Sequence, residues 1–299
     1  MSRLLALASL GLLAACGGVQ HAWSGATLCE IERPSPAEPA PDAWLALLLR
    51  GYDASTRRTT TPAVDCVGAQ VRWDAPAHQC QDASTTRALL PQRPIAPEDV
   101  LVVPLGEKLR LVWVITSRYA SGDALGPAAV VELRASRLQV KAVGPLRANP
   151  LRARLRLERL GDDELVVAEG ERCASADPAS CDRSARVLII AGDRLEPVAV
   201  TGEAGGCAGA AWFPLGREEQ EKLQSGWTRR FRLDGSLRFA PDGLHVAQQV
   251  VVHDLDPRQP SAPPRLFRRA DAEEVLPFKG RGFVSSGASL WDRMRQGSN

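Results

Sequence analysis

Residues 151–173 read LRARLRLERLGDDELVVAEGERC, and the period of this stretch sets the fold class. Leu151, Ala153, Leu155 and Leu157 alternate with Arg152, Arg154, Arg156 and Glu158, the two-residue repeat of a strand with one face buried and the other in water. Gly161, Asp162 and Asp163 supply a turn, and Leu165 to Ala168 begin a returning strand. The same alternation runs through KLRLVWVITSRYA (108–120) and RRFRLDGSLRF (229–239). Helical periodicity is confined to two short segments, Arg217 to Leu223 and Leu290 to Met294. The expectation is an all-β chain.

The strands recur in order. Residues 98–146 contain four strand-like segments, and residues 151–202 contain four more. Their last hairpins superpose at one offset: Val130-Val131 falls on Val187-Leu188, Arg137-Leu138 on Arg194-Leu195, and Val143 on Val200. A looser third copy spans 227–278, and in it FAPDGLHV (239–246) resembles the FSPDG-type turn of β-propeller blades. Repeated four-stranded antiparallel meanders of roughly 50 residues have the size of such blades, which stand around an axis and keep their edges short. The segments 43–53, 66–73 and 280–287 are then available for one more. A large β-sandwich or barrel built from the same hairpins is the alternative architecture.

The chain opens with a short positive start, Met1 to Arg3, and an apolar run, Leu4 to Ala15. The run is too short for a bilayer, which needs about 20 apolar residues, and has the form of an export signal. It ends in Leu13-Ala14-Ala15-Cys16-Gly17, which resembles the lipobox of bacterial lipoproteins. The resemblance implies a signal peptide over 1–15, removed on export, and a lipid-bearing Cys16. Acyl chains on Cys16 would then hold the protein to a bacterial membrane. Gly17, where a retention signal would have Asp, points to the outer rather than the inner membrane. Residues 16–43, with the proline-rich PSPAEPAPD at 34–42, read as an extended tether. Residues 44–299 read as a single β-rich domain.

Seven cysteines less Cys16 leave six, an even number suited to disulfides in an oxidising compartment. Short separations close loops most readily, which favours Cys66 with Cys80 and Cys173 with Cys181, and leaves Cys29 with Cys207. Neither the cysteines nor the four histidines have zinc-site spacing, so no metal and no cofactor is implied.

Composition limits the function classes. A net charge of +2 gives no bulk attraction to nucleic acid. Ser285 and Ser286 lack the G-x-S-x-G context of a nucleophile elbow. His253, Asp254 and Asp256 form no complete cation loop, and Glu171, Asp177 and Asp182 surround two cysteines. No catalytic set emerges. The most unusual surface feature is the alternating Arg152, Arg154 and Arg156, whose guanidinium groups suit a phosphate- or carboxylate-bearing polymer. Trp44 and Trp73 read as core residues, with sugar stacking as the other use of an indole. The expectation is a non-catalytic β scaffold binding an envelope protein or anionic polymer. An envelope hydrolase on a propeller-like frame is the alternative.

Overall fold

A computed structural model describes residues 26–33, 35, 37–73, 89–173, 181–259 and 261–296. Of the described residues, 60% lie in strands and 7% in helices, so the chain is mostly β. No described helix is long and apolar enough to cross a membrane.

The first run of elements is β1 (Cys29–Glu32), α1 (Pro41–Leu48), β2 (Leu49–Arg50), β3 (Val64–Asp65), β4 (Val100–Pro104), β5 (Leu109–Val114), β6 (Ser117–Arg118), β7 (Ala124–Leu133) and β8 (Arg137–Ala148). Next come β9 (Leu151–Leu160), β10 (Asp163–Cys173), β11 (Cys181–Ala191), β12 (Arg194–Pro197), β13 (Ala199–Gly202) and β14 (Cys207–Ala210). The last run is β15 (Trp212–Lys222), β16 (Thr228–Ala240), β17 (Gly243–Leu255), β18 (Arg265–Leu276), β19 (Phe278–Lys279), β20 (Gly282–Ser285) and α2 (Leu290–Gln296).

The meander segments do not stand apart as separate four-stranded sheets. Hydrogen bonding joins them in one 14-stranded sheet, in the order β18-β17-β16-β15-β11-β12-β8-β7-β5-β4, with β1, β6, β9 and β10 attached off this path. The junction is β11. One of its edges carries β10 along its length, and the other carries β15 against Arg183 to Arg186 and then β12 against Leu188 to Ala191. At the fork the backbone of Val187 donates to Ala211 O and accepts from Val198 N, so no main-chain group is orphaned where the sheet divides. A second sheet, in the order β14-β13-β20-β19, lies next to this fork.

Burial on both faces of β10 and β11 explains their position. Val166, Ala168 and Leu188 belong to a core shared with α1, β5, β7 and β8, while Leu165, Val167, Val187 and Ile189 belong to a second core with Phe213, Leu244 and Phe283. Such continuous apolar runs suit a strand covered on both sides. A third core joins Phe231, Leu233, Val250 and Val252 of β16 and β17 to Leu290, Trp291 and Met294 of α2. One free edge of the main sheet, β18, carries Arg265, Arg268, Arg269, Asp271, Glu273 and Glu274, charges that oppose pairing with another chain.

Three expectations are corrected. Residues 217–222 belong to β15, not to a helix: Arg217, Glu219 and Glu221 oppose Leu233, Phe231 and Arg229 across β16, and the residues between them are paired as well. Residues 41–48 form α1 rather than a strand, with Pro41 in its first turn and Trp44, Leu45, Leu47 and Leu48 buried. The proposed tether does not extend to residue 43, because β1 pairs with β8, Cys29 opposite Val140.

The disulfides are corrected as well. Cys173 bonds to Cys181, at the facing ends of β10 and β11. Cys29, however, bonds to Cys66, which overturns both the Cys66–Cys80 and the Cys29–Cys207 pairings. The two partners lie 37 residues apart, against 14 between Cys66 and Cys80. That difference costs less than about 1 kcal/mol of loop-closure entropy. Packing of β1 and of the residues after β3 on the first core therefore decides the pairing. Cys207 is also disulfide-bonded.

Candidate functional site

The fork at β11 opens a cleft of about 510 Å³ between the main sheet and β14. The register of β11 against β15 builds it: Arg186 faces Trp212, and Ser184 faces Pro214, whereas Ala185 and Phe213 point into the second core. Asn149, just past β8, donates its side-chain amide to Ser184 Oγ at 3.0 Å, and both residues are buried. The Arg186 guanidinium lies 5.2 Å from the ring of buried Trp73 and 6.0 Å from that of Trp212, within cation–π range. Trp212 itself is 46% exposed. Trp44 and Trp73 are both buried, as core residues.

At the rim, Asp123 meets buried Arg147, whose Nε and Nη2 lie 3.1 and 3.0 Å from one carboxylate oxygen. Arg172 donates to Asp182 at 2.6 Å. Asp177 of the same sequence cluster lies outside the described residues. Glu171, Cys173 and Cys181 come together, but both cysteines are consumed by the disulfide.

The alternating arginines of β9 lie elsewhere. Arg152 donates to Glu171 at 3.0 Å, and Arg156 bonds to Glu158 at 2.7 Å and to Glu169. The two carboxylates hold the Arg156 guanidinium above its usual pKa despite partial burial. Arg154 is exposed and opposes Glu169 in the register. The sequence showed the arginines on one strand but not the acids of β10 beside them.

Ser285 and Ser286 both donate through their hydroxyls to Glu274, at 3.0 and 3.2 Å, and the Ser286 amide does so at 3.0 Å. The carboxylate thus pins the segment leading to α2. The HDLDP residues separate: Asp254 takes Arg229 at 2.8 and 3.2 Å, while neighbouring His253 projects from the opposite face of the strand.

A cluster not singled out in the sequence surrounds His245, within the 239–246 segment. Its Nε2 lies 2.9 Å from Asp242 and its Nδ1 2.8 Å from Glu273, with Arg238 donating to the same glutamate at 3.2 Å. The hydrogen bond with Asp242, then that with Glu273, raises the imidazole above its usual 6.5, and His245 in turn holds both carboxyls below their usual range. A raised imidazole pKa gives stability that is complete below the unfolded value and lost as pH rises through the folded one. For the two depressed carboxyls the loss comes instead as pH falls through their range. The turn at 240–243 should therefore be best held above the carboxyl range and below the usual imidazole value of 6.5, and loosen as pH rises through the raised imidazole value. Amide exchange corrected for intrinsic rate should show this, and His245→Asn should abolish the difference. Equal pH dependence in wild type and variant would reject the coupling.

Comparison with protein-family models, curated proteins and solved structures found no match for this chain.

Proposed function

We propose that this protein is a bacterial envelope lipoprotein, anchored through Cys16, whose β body is a non-catalytic scaffold that binds an envelope polymer or protein. The lipobox-like Leu13-Ala14-Ala15-Cys16-Gly17 carries the anchoring half. The scaffold half is supported by how the candidate catalytic groups are engaged. Both ring nitrogens of His245 face carboxylates, and the hydroxyls of Ser285 and Ser286 face Glu274 rather than an imidazole, so neither has the nucleophile–base contact of covalent catalysis. We also read 98–146 and 151–202 as copies of one meander. In support, β7 and β11 begin at residues 124 and 181, and β8 and β12 at 137 and 194, an offset of 57 in each case.

Cysteine chemistry supplies the test. Cys29, Cys66, Cys173 and Cys181 pair among themselves, Cys207 is bonded, and the two remaining cysteines, Cys16 and Cys80, lie outside the described residues. A lipid-bearing Cys16 cannot form a disulfide, so the reading requires Cys207 to be linked to Cys80. Non-reducing peptide mapping of envelope-purified protein should show that link together with an acylated peptide beginning at Cys16. Cys16→Ser should move the protein from the membrane to the soluble fraction. A Cys16–Cys207 peptide, or a membrane-bound Cys16→Ser protein, would overturn the anchor.

A further inference from the structure

The cleft beside β11 combines, among the described residues, an exposed indole with four guanidinium groups. Resting on the reading of the chain as an envelope-binding scaffold, we propose that this cleft binds an anionic saccharide, with a sugar ring on Trp212 and its acidic group against the arginine wall.

Four observations carry the assignment. First, the cleft volume of about 510 Å³ falls within the roughly 300–1,000 Å³ of small-ligand sites. Second, Trp212 opens β15 with nearly half its surface exposed, and its ring is oriented by Arg186 across the strand pair. An apolar ring face that is fixed and wet suits the C–H face of a pyranose. Third, among the described residues the lining carries Arg172, Arg183, Arg186 and Arg217 against Asp123 and Asp182, and these two acids are engaged by Arg147 and Arg172. The acids that meet Arg183 and Arg217 are Asp234 and Glu219, which are not part of the lining. In the first of these pairs the side chains are 42% and 69% exposed. Such a pair is worth less than about 1 kcal/mol; Arg183 Nη2 also donates to Leu215 O and Gly235 O at 3.1 and 2.9 Å, which hold the guanidinium in place while a ligand carboxylate or phosphate ester replaces Asp234. Fourth, the floor is polar: Asn149 and Ser184 line it, and the Ser184 hydroxyl, which accepts from the Asn149 amide, keeps its own O–H to donate.

These features select among ligand classes. A neutral sugar would use the indole but leave the positive excess unanswered. A simple anion would use the arginines but not the ring.

The test is calorimetric titration of the purified full-length protein, with tryptophan fluorescence as a second readout. The probes are oligosaccharides bearing uronate, phosphate or sulfate groups, their uncharged counterparts, and inorganic phosphate alone. At least one charged oligosaccharide should bind, at least about 10-fold tighter than its neutral counterpart and than phosphate. Trp212→Ala should weaken that binding at least about 10-fold, and Trp212→Phe should restore most of it. Because Trp212 is surface-exposed, the thermal midpoint of both variants should match wild type. Equal binding of neutral oligosaccharides, full competition by phosphate, an unaffected Trp212→Ala protein, or no binding across the panel would each overturn the site. Recovered oligosaccharide should be intact by mass spectrometry. Cleaved product would leave the site standing and overturn the non-catalytic reading instead.

Discussion

Asp123→Ala should destabilise the protein by about 3–5 kcal/mol, the range for breaking a buried ion pair by removing one member. Arg147 has no exposed surface, its Nε and Nη2 meet Asp123 at 3.1 and 3.0 Å, and its guanidinium lies 3.9 Å over the ring of Tyr119. Alanine would leave that cation inside the first core without its carboxylate. For a domain of this size the loss corresponds to a fall of roughly 6–20 °C in thermal midpoint. Adding Arg147→Met to Asp123→Ala should recover much of the loss, because the charge that needs a partner is gone and the aliphatic volume is partly kept. Urea unfolding of the four proteins in the cycle measures the coupling. A loss under about 1 kcal/mol in Asp123→Ala, or no recovery in the double variant, would show that the pair is not the element that holds β7 to β8 here.

The alternation in 151–158 is legible because Ala153, Leu155 and Leu157 lie against the first core while Arg152 and Arg154 are exposed; Leu160, on the other face, enters the second core. The runs 165–168 and 185–189 are legible as strands by their apolar residues. Their place at the fork is not, since it depends on which edges of β11 are occupied by β15 and β12. REEQEKL at 217–223 has the charge spacing of a helix, and local preference loses to tertiary pairing with β16. PDAWLALL fails in the other direction, because its continuous apolar run hides a helix buried on most sides. The correct feature of the cysteine pattern is its shortest loop, Cys173 with Cys181. The Cys29–Cys66 bond follows from the pairing of β1 with β8, between segments more than 100 residues apart. The same limit hides the cleft: Arg186 and Trp212 are 26 positions apart and meet only through register, so the arginines of β9, adjacent in sequence, drew the anion-binding expectation instead.

The cleft also depends on a glycine whose need is visible only in three dimensions. Gly170 interrupts β10 at a bulge opposite β9 and faces Ser184 across β11. A methyl group there would overlap the carbonyl oxygen of Asn149 and approach its Cβ to 3.2 Å. Asn149 has little room to retreat, since its amide is bonded to Ser184 and Arg147, two residues earlier, is locked to Asp123. Gly170→Ala should therefore cost about 3 kcal/mol, at the upper end for overpacking because backbone rather than a side chain must move. It should also weaken saccharide binding at least about 10-fold at a temperature where the variant is folded, because the strand it displaces carries the cleft floor. Gly206→Ala is the control: a Cβ there meets nothing within 4 Å and the backbone is not left-handed, so its stability should stay within about 0.5 kcal/mol of wild type. Stability and binding should fall together in Gly170→Ala, whereas Trp212→Ala should lose binding alone. A Gly170→Ala protein as stable as wild type would mean that the end of β8 can shift off β10. The floor of the cleft would then be adjustable rather than fixed, and the rigid register from which its ligand preference is argued would no longer hold.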